Sequence, residues 1–361
     1  MKILYISAEH VSGTLSLFQA EHRRRGDECR FVTFWHSRWD FPDDICLDLP
    51  LMPVKSWVLF LRHAARLLRG KDRTASPSRT NPYWTPGRLE RALFAWRDHI
   101  LWPRMSRAIR EHNLDQFDIV HLDGGLDFTR DARFAKEMSA RGKHIVCFYH
   151  GSDLRNRGIV REVDELASLR LTCEWDLLEL DPRLRYLYLP FETDRFPARD
   201  YHFHSPIRVC HATRNPYKGT AFVERALSEL AKKYPVELVL LRNLPYAEAL
   251  RRKQDCDIFV DQLTNAGGWG YGMSSVEAFS MGMPVVTNIP EQMSARLGQN
   301  PFVQATPESI QDVLEDLLTD EDRCKSLAAA GHEWVRATHD VRSVGDQLYH
   351  YYEGAGWLSA H

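Results

Sequence analysis

The chain has 361 residues, 44% of them hydrophobic and 27% charged, with a formal net charge of −2; this length predicts two domains, and the near-zero charge gives no whole-chain attraction to nucleic acid. Its seven cysteines are scattered, with no Cys-x-x-Cys pair, which fits a reducing compartment and argues against zinc. The sequence opens on a strand-like segment and no apolar run approaches the roughly 18 residues of a membrane span, so we expect a cytoplasmic protein without a signal peptide.

Strand-like apolar segments alternate with helical ones along the chain, which is typical of parallel α/β architecture. In the first half, strands are predicted at residues 3–6, 30–34, 119–122, 144–149, 169–172 and 186–189. The pattern restarts in the second half at residues 207–210, 236–241, 258–260 and 285–287. Residues 190–206, rich in proline, histidine and polar side chains, are interpreted as the linker between two domains.

The loop after the first strand lacks Gly-x-Gly-x-x-Gly, so a dinucleotide fingerprint is absent and a nicotinamide enzyme is disfavoured. An ordinary strand-to-helix turn explains Gly13 and Thr14 as well as a binding loop does.

A basic segment follows, from residue 55 to residue 110, in which 13 Lys or Arg stand against 3 Asp or Glu and aromatic residues are interleaved. Residues 57–68 of this segment have the pattern of an amphipathic basic helix. Such helices lie on anionic membrane surfaces with their aromatic side chains at the interface. The alternative is a helical insertion whose apolar face packs on the first domain.

The segment Phe148-Tyr-His-Gly-Ser-Asp-Leu-Arg155 places His150 directly after a predicted parallel strand. Open α/β sheets bind their ligands at the carboxyl ends of such strands, so His150 is a candidate site residue. Asp153 has a structural alternative, because it could cap a helix that carries Arg155.

A second candidate region runs from residue 207 to residue 220 and is predicted as a strand, a polar turn and a helix beginning near Gly219. The turn carries Arg214 and Lys218. An Arg can bind a phosphate group through two hydrogen bonds, and a Lys adds a point charge. Lys218 could equally be a solvated turn residue.

The most informative segment is residues 257–287: a buried strand, a loop rich in glycine, a helix opening at Ser274, and a second apolar strand. A flexible loop that leads into a helix N-terminus can direct several backbone N–H groups and the helix dipole at an anion, most simply a phosphate. The alternative for Glu277 is a capping box, since Ser274-Ser-Val-Glu277 has its spacing.

This last segment resembles the donor-nucleotide site of the retaining glycosyltransferases of family 4. The residues in register are Gly270-Tyr-Gly272, Glu277-Ala278, Gly282 and Pro284-Val-Val286. The resemblance implies that Glu277 holds the ribose hydroxyls and that Gly272, Met273 and Ser274 contact the donor. Trp269 replaces the family's first glutamate, but Asp261-Gln-Leu263 with Trp269 and Tyr271 is similar to a variant found in a bacterial subset.

The same resemblance extends to the earlier candidates. It implies that Arg214 with Lys218 and Gly219 clamps the donor diphosphate, and that His150 lies by the donor sugar. Asp153 and Arg155 are implied to line the cleft, together with Trp269. Gly13 is the implied donor contact of the first loop, and Thr14 and Asp127 are placed on the acceptor side.

The resemblance also implies GT-B architecture, in which two doubly wound Rossmann-like domains face across a cleft. On this basis we expect an acceptor-side domain at 1–197, with the basic segment as an insertion at about 55–110. The nucleotide-sugar domain is expected at 198–340, and residues 341–361 are expected to form a helix that crosses back to the first domain.

The predicted function is a metal-independent retaining hexosyltransferase that uses a nucleoside diphosphate sugar, needs no cofactor and acts on a hydroxyl acceptor such as a glycan or a lipid-linked saccharide. Peripheral contact with an anionic membrane is expected, and nucleic acid is not an expected partner. Two alternatives remain: a non-catalytic nucleotide- or glycan-binding protein, which Trp269 favours, and a sugar-nucleotide epimerase, for which no acid/base pair is identified.

Overall fold

The computed structural model describes residues 1–50, 78, 80–197, 199–213 and 216–358. The chain divides into two compact units. Unit 1 comprises Met1–Leu187 together with the C-terminal residues from Gln347, and unit 2 comprises Tyr188–Asp346. Each unit is built around one parallel β-sheet.

The sheet of unit 1 has seven strands in the order β3-β2-β1-β4-β5-β6-β7, and all neighbours pair in parallel. The strands are β1 (Lys2–Ser7), β2 (Glu28–Thr33), β3 (Ile45–Cys46), β4 (Ile119–Asp123), β5 (His144–Tyr149), β6 (Leu169–Thr172) and β7 (Arg185–Tyr186). The chain order reverses between β1 and β4, so these two strands form the switch point of a doubly wound sheet.

Helices cover both faces of this sheet because alternate side chains of each strand point to opposite sides. The helices of unit 1 are α1 (Thr14–Arg24), α2 (Arg88–Glu111), α3 (Arg133–Ala140), α4 (Gly151–Asn156) and α5 (Arg161–Asp164). On one face, Leu4 and Ile6 join a buried cluster with residues of α2 and α3. On the other face, Tyr5 stacks on Phe18 of α1, with ring centroids 5.5 Å apart.

The C-terminal helix contributes to the second face of the unit 1 sheet. This helix runs Val341–Gly354, and its residues from Gln347 onward belong to unit 1. The hydroxyl of Tyr352 lies 2.6 Å from His121 Nε2, and the hydroxyl of Tyr349 lies 2.9 Å from His22 Nδ1. These buried hydrogen bonds satisfy aromatic and imidazole groups that would otherwise be costly to bury.

Unit 2 has a five-stranded parallel sheet in the order β12-β11-β10-β8-β9. Its strands are β8 (Ile207–Ala212), β9 (Val236–Leu241), β10 (Ile258–Val260), β11 (Val285–Thr287) and β12 (Val303–Gln304). Its helices are α6 (Thr220–Leu230), α7 (Tyr246–Gln254), α8 (Met273–Ser280), α9 (Glu291–Leu297), α10 (Ile310–Leu318) and α11 (Glu321–Thr338), and the C-terminal helix α12 begins in this unit. The two three-residue strands β10 and β11 are fully buried, which explains why their sequences lack charged residues.

The predicted α/β class with two doubly wound parallel sheets is confirmed, and each predicted strand is present. The sixth is displaced to Arg185–Tyr186. The two-residue strands β3 and β12 were not predicted, because two residues carry no periodic signal. The predicted helix at 57–68 lies outside the described residues.

The interpretation of residues 190–206 as a linker is wrong. The boundary lies between Leu187 and Tyr188, and this stretch packs within unit 2. Phe191, Phe196 and Tyr201 are buried there at 2–7% exposure, and Phe191 pairs its backbone with the residues before the C-terminal helix. No helix in the described part of the chain is long and apolar enough to cross a membrane.

Candidate functional site

The candidate site of unit 2 begins at the carboxyl ends of β8 and β10, which are neighbouring parallel strands. After β8 a short 3₁₀ turn, Pro216–Lys218, leads to Gly219 and then to helix α6. Gly219 has φ +82°, and a Cβ on it would lie 3.1 Å from Leu263, so this tight turn requires glycine. Arg214 lies outside the described residues, so its predicted clamp role stays a prediction.

Lys218 is held by a buried carboxylate that comes directly after β10. Its ammonium group forms an ion pair with Asp261, whose side chain is fully buried while that of Lys218 keeps 18% exposure. Asp261 also accepts a hydrogen bond from the Gly272 backbone N–H at 2.9 Å and one from Ser275 Oγ at 2.6 Å. Asp261 therefore joins the Lys218 turn to the start of helix α8.

The electrostatics of this junction favour a charged Asp261. Burial acts to raise the pKa of its carboxyl group, but the Lys218 ammonium and the hydrogen bonds from Lys218, Ser275 and Gly272 hold it below its ordinary value. The carboxylate thus occupies part of the helix N-terminus at which the sequence predicted a phosphate. The sequence did not predict this role for Asp261, which was named only as part of the family resemblance. Its position immediately after a buried strand could have indicated it.

Helix α8 begins one residue earlier than predicted, at Met273, with Gly272 as its N-cap residue. Ser274 therefore lies inside the first turn, and Gly272 makes no side-chain cap hydrogen bond. The capping-box alternative for Glu277 is wrong for this reason. Gly272, Met273 and Ser274 are all half-buried at the helix start, as expected for residues that line a site.

Glu277 instead forms a buried ion pair with Lys253, the residue before the last of helix α7. Glu277 is 8% exposed and Lys253 is 2% exposed. The Lys253 ammonium also reaches the carbonyl oxygen of Ser274 at 3.3 Å and lies 4.8 Å from the ring centroid of Phe259. Burial, followed by the neighbouring Glu277 carboxylate, raises the pKa of Tyr246. No sequence signal identified Lys253 as the partner.

The glycine-rich loop is fixed by contacts within unit 2. Thr287 Oγ1 donates to the Gly270 carbonyl oxygen at 2.9 Å, and a Cβ on Gly270 would lie 2.2 Å from Met293 Sδ. The ring of Tyr271 stacks on Phe302, and its hydroxyl lies 2.9 Å from His339 Nε2. Trp269, in the place of the family's first glutamate, is half-buried.

In unit 1 the candidate residues gather at the carboxyl ends of β1, β4 and β5. His150 forms an ion pair through Nε2 with Asp123, the last residue of β4, and its Nδ1 lies 3.3 Å from Cys173 Sγ. Ser7 Oγ, at the end of β1, donates to the other Asp123 oxygen at 2.6 Å. The sequence predicted His150 as a site residue but did not identify Asp123 as its partner.

The contact between His150 and Asp123 favours the charged form of each side chain. Burial alone would lower the pKa of His150, but the adjacent Asp123 carboxylate and the hydrogen bonds raise it well above its ordinary value. Burial acts in the opposite sense on Asp123, yet His150 and Ser7 hold the pKa of Asp123 below its ordinary value. The His150 side chain keeps 30% exposure at this edge of the sheet, and both of its ring nitrogens have a partner within unit 1.

Asp153 and Arg155 are engaged within unit 1. Asp153 accepts the His150 backbone N–H at 2.9 Å and completes a capping box on α4, so its structural alternative is confirmed. Arg155 binds Asp176 through two hydrogen bonds of 2.6 Å and Glu174 through one of 2.7 Å. Although burial opposes it, these carboxylates raise the pKa of Arg155. The predicted cleft role of both residues stays a prediction.

Asp127 lies inside unit 1, away from solvent. It is 4% exposed and accepts hydrogen bonds from the backbone N–H groups of Phe128 at 2.7 Å and Ala135 at 3.1 Å. Burial raises its pKa to about 7. Through these contacts Asp127 fixes the backbone at the start of α3. Both of its carboxylate oxygens are used, so neither faces an acceptor at the surface.

The first loop of unit 1 contains the remaining candidates. Gly13 is the N-cap residue of α1 with φ +72°, and a Cβ on it would lie 3.2 Å from the ring of Phe41. Thr14, the first residue of α1, donates from Oγ1 to the Val11 carbonyl oxygen at 3.2 Å. Both residues are half-buried at a helix N-terminus.

A metal ion has one group of three candidate ligands among the described residues: His36, Asp43 and Cys46. His36 is 69% exposed, and its Nδ1 lies 2.7 Å from an Asp43 oxygen. None of the predicted donor-site residues belongs to this group.

Comparisons with known proteins bear on the fold. No protein-family model matches the chain. A relative from Mycobacterium tuberculosis, described as a GDP-mannose-dependent alpha-(1-6)-phosphatidylinositol monomannoside mannosyltransferase, is 26% identical over 199 residues, which cover 43% of this chain and 51% of the relative. The chain thus spans about half the length of the curated relatives it matches.

Solved structures are similar over nearly the whole chain. HepE of Anabaena, in complex with UDP and glucose, has a TM-score of 0.58 at 13% identity, covering 98% of this chain and 100% of HepE. A glycosyltransferase of Rickettsia africae has a TM-score of 0.59 at 11% identity, covering 99% of each chain. TarM of S. aureus, in complex with fondaparinux, alpha-GlcNAc-glycerol and UDP, has a TM-score of 0.56 at 11% identity, covering 98% of this chain and 100% of TarM. At these identities the likeness shows the fold, which is of the GT-B type found in glycosyltransferases.

Proposed function

We propose that this chain is a family 4 glycosyltransferase that moves a hexose-type sugar from a nucleoside diphosphate sugar to a hydroxyl acceptor with retention of configuration. One observation carries the proposal: in unit 2, Asp261 joins the Lys218 turn to the start of helix α8. A fixed cation and a helix N-terminus are both suited to phosphate oxygens, and here they meet at the carboxyl ends of parallel strands.

Lys218 is proposed to stabilise the leaving diphosphate. Its ammonium group has three N–H donors and keeps 18% exposure, so it is proposed to bind a phosphate oxygen while it stays paired with Asp261. Arg214 is proposed as the second cation from its place in the sequence. Preorganised charges of this kind act mainly on the transition state, in which the diphosphate gains charge.

Glu277 is proposed to bind the ribose hydroxyls. Its carboxylate is charge-balanced by Lys253 and keeps 8% exposure, which suits an acceptor for two hydroxyl donors. The backbone of Gly219, Gly272, Met273 and Ser274 is proposed to contact the rest of the donor, with Trp269 beside the sugar.

Unit 1 is proposed to supply His150 next to the donor sugar and Gly13 and Thr14 near the donor and acceptor. The imidazolium of His150 is oriented by Asp123 and Cys173, so its position is fixed before substrate binds. Asp153 and Arg155 are proposed to support this edge through the capping box and the ion pairs that they form. Asp127 has no part in the proposal, because its carboxylate is buried and bonded to the backbone.

The acceptor is proposed to be a glycan or a lipid-linked saccharide of the cell envelope, used in polysaccharide biosynthesis by a cytoplasmic, peripherally membrane-bound enzyme. The name of the mycobacterial relative contains a phosphatidylinositol monomannoside, and the TarM complex contains glycan-type ligands, which supports this class. No cofactor and no metal ion are included in the proposed reaction.

Incubation of the purified full chain with a panel of UDP-, GDP- and dTDP-sugars tests the proposal. We expect slow release of the nucleoside diphosphate and free sugar from one donor, with the α-configured sugar product expected from an α-linked donor. Saturable binding of a nucleotide without turnover would instead indicate a binding protein. Conversion of one intact nucleotide sugar into another would indicate an epimerase.

A further inference from the structure

Helix α2 of unit 1 carries two apolar faces, and only one of them is used within the unit. The buried face consists of Leu101, Met105, Ala108 and Ile109, which pack into the core of unit 1. Of the eight large apolar side chains that are more than one-third exposed in the described residues, four also lie on α2. They are Leu89 (60%), Leu93 (54%), Trp96 (59%) and Ile100 (46%).

These four residues, here called the exposed stripe, lie on one line along the helix. Their spacing of four, three and four residues confines them to an arc of about 60° at 3.6 residues per turn, over about 16 Å of helix. The buried face is centred roughly 130° away on the same geometry. A surface helix needs only one apolar face to pack on its domain, so the second face requires another explanation.

The stripe continues into a basic cavity. One turn beyond Ile100 the same line of the helix presents Arg104 and Arg107, both exposed. With residues of the β3 segment they surround a cavity of about 530 Å³. Its lining combines cationic and apolar side chains, including Arg104, Arg107, His112, Ile45, Leu47 and Ile100, and Glu111 is its acidic member.

We propose that α2 docks this face onto an anionic phospholipid bilayer, with the exposed stripe in the interface and the cavity at a lipid phosphate. A tryptophan among aliphatic side chains, followed by arginines, is the arrangement of a helix that lies in the interface plane. Helix α2 is itself complementary to an anionic surface, since its 24 residues contain six Arg against three Asp or Glu.

A second copy of the chain is a weaker occupant for this face. Four half-exposed side chains offer on the order of 400 Å², about half of the roughly 800 Å² per partner that a standard protein interface buries. Facing copies would also bring the arginines of two chains into the same contact. A lipid surface needs no minimum area of matched shape and neutralises the arginines.

Flotation of the full chain with phosphatidylcholine vesicles, with and without phosphatidylglycerol, tests the proposal. We expect at least about tenfold stronger binding to the anionic vesicles, and the difference should shrink with salt. The double variant Leu93→Ser with Trp96→Ser should weaken binding about tenfold or more, because it removes apolar area from the interface. Arg104→Glu with Arg107→Glu should abolish the preference for anionic lipid.

The matched control is Arg251→Glu with Arg252→Glu, an equal change of charge on two exposed arginines of α7 in unit 2. It should bind anionic vesicles as the parent chain does. The proposal is overturned if the parent binds both vesicle types equally, if the α2 variants bind like the parent, or if the control loses binding to the same extent. It is also overturned if the parent forms a dimer without lipid that Trp96→Ser dissociates.

This inference does not depend on the donor site, because no residue of unit 2 enters it. Donor hydrolysis without vesicles should be unchanged in the α2 variants. Binding to vesicles without any donor turnover would support the docking surface and contradict the proposed glycosyltransferase activity. Donor turnover without binding to vesicles would support the activity and contradict the docking surface.

Discussion

Replacement of Asp261 by Asn tests the junction on which the proposed donor site depends. The substitution keeps the shape of the side chain and an oxygen that can accept from Gly272 or Ser275, but it removes the negative charge that pairs with Lys218. Loss of one partner from a fully buried ion pair costs about 3–5 kcal/mol. Because Lys218 keeps 18% exposure, we expect about 2–3 kcal/mol less stability.

The same change should also lower donor turnover by about 10²-fold, since a misplaced Lys218 no longer meets the diphosphate in the transition state. Asp257→Asn is the matched control. Asp257 is also fully buried and pairs with Arg199 at 3.0 Å and His204 at 2.7 Å, but it lies at the opposite end of strand β10.

Stability is measured by urea unfolding, and turnover is measured by nucleoside diphosphate release below both transitions. We expect both variants to lose stability and only Asp261→Asn to lose turnover of the folded protein. Equal turnover losses in the two variants, or an Asp261→Asn protein as active and stable as the parent, would refute the reasoning.

Three further predictions concern Glu277, His339 and metal ions. Glu277→Gln should lower nucleotide affinity, and it should lower the free energy of unfolding by about 3 kcal/mol because Lys253 is left buried and unpaired. The double variant with Lys253→Met should recover the stability but not the nucleotide affinity, which is measured by calorimetry. Recovery of both would make Glu277 a structural residue. Burial lowers the pKa of His339 to about 4, so its contribution to the stability of unit 2 is full above pH 6.5 and is lost as the pH falls through 4, on the order of 3 kcal/mol. In urea unfolding, His339→Gln should make the free energy of unfolding fall less steeply with decreasing pH, whereas the exposed control His350→Gln should not change this slope. Identical slopes for the two variants would contradict the assignment. Donor turnover should survive EDTA, and a complete loss that magnesium or manganese restores would contradict a diphosphate site built on Lys218.

Most of the fold was predictable because buried parallel strands have short apolar sequences that lie between turn residues. Strands β3 and β12 were not, since each is two residues long and is defined by its neighbour in the sheet. The boundary between the units was misplaced because residues 190–206 are mostly polar, which outweighed the few aromatic residues among them in the linker prediction. Phe191, Phe196 and Tyr201 bind it to unit 2, and that packing is a tertiary property.

The sequence predicted candidate site residues one by one, but it did not reveal their ion-pair partners. Local sequence identified Lys218, Glu277 and His150 as candidates. Their counter-ions Asp261, Lys253 and Asp123 are 43, 24 and 27 residues away in the chain, and spacing along one sequence does not reveal such contacts. The capping box failed for the same reason. A carboxylate from another strand binds the Gly272 N–H, so the helix starts without Ser274 as its cap.

The central claim is that unit 2 holds the diphosphate of a nucleotide sugar through Lys218. The most direct measurement is the rate of nucleoside diphosphate release by the parent chain, by Lys218→Ala, and by Lys232→Ala as a control that removes an exposed lysine from the same unit. We predict measurable release by the parent and the control, and a rate about 10²-fold lower for Lys218→Ala when all three proteins are assayed folded, below the unfolding transition of Lys218→Ala. That transition should itself be lowered, because Asp261 is left buried without its counter-ion. Equal rates for Lys218→Ala and Lys232→Ala with every donor, or no release by the parent chain from any donor, would contradict the account.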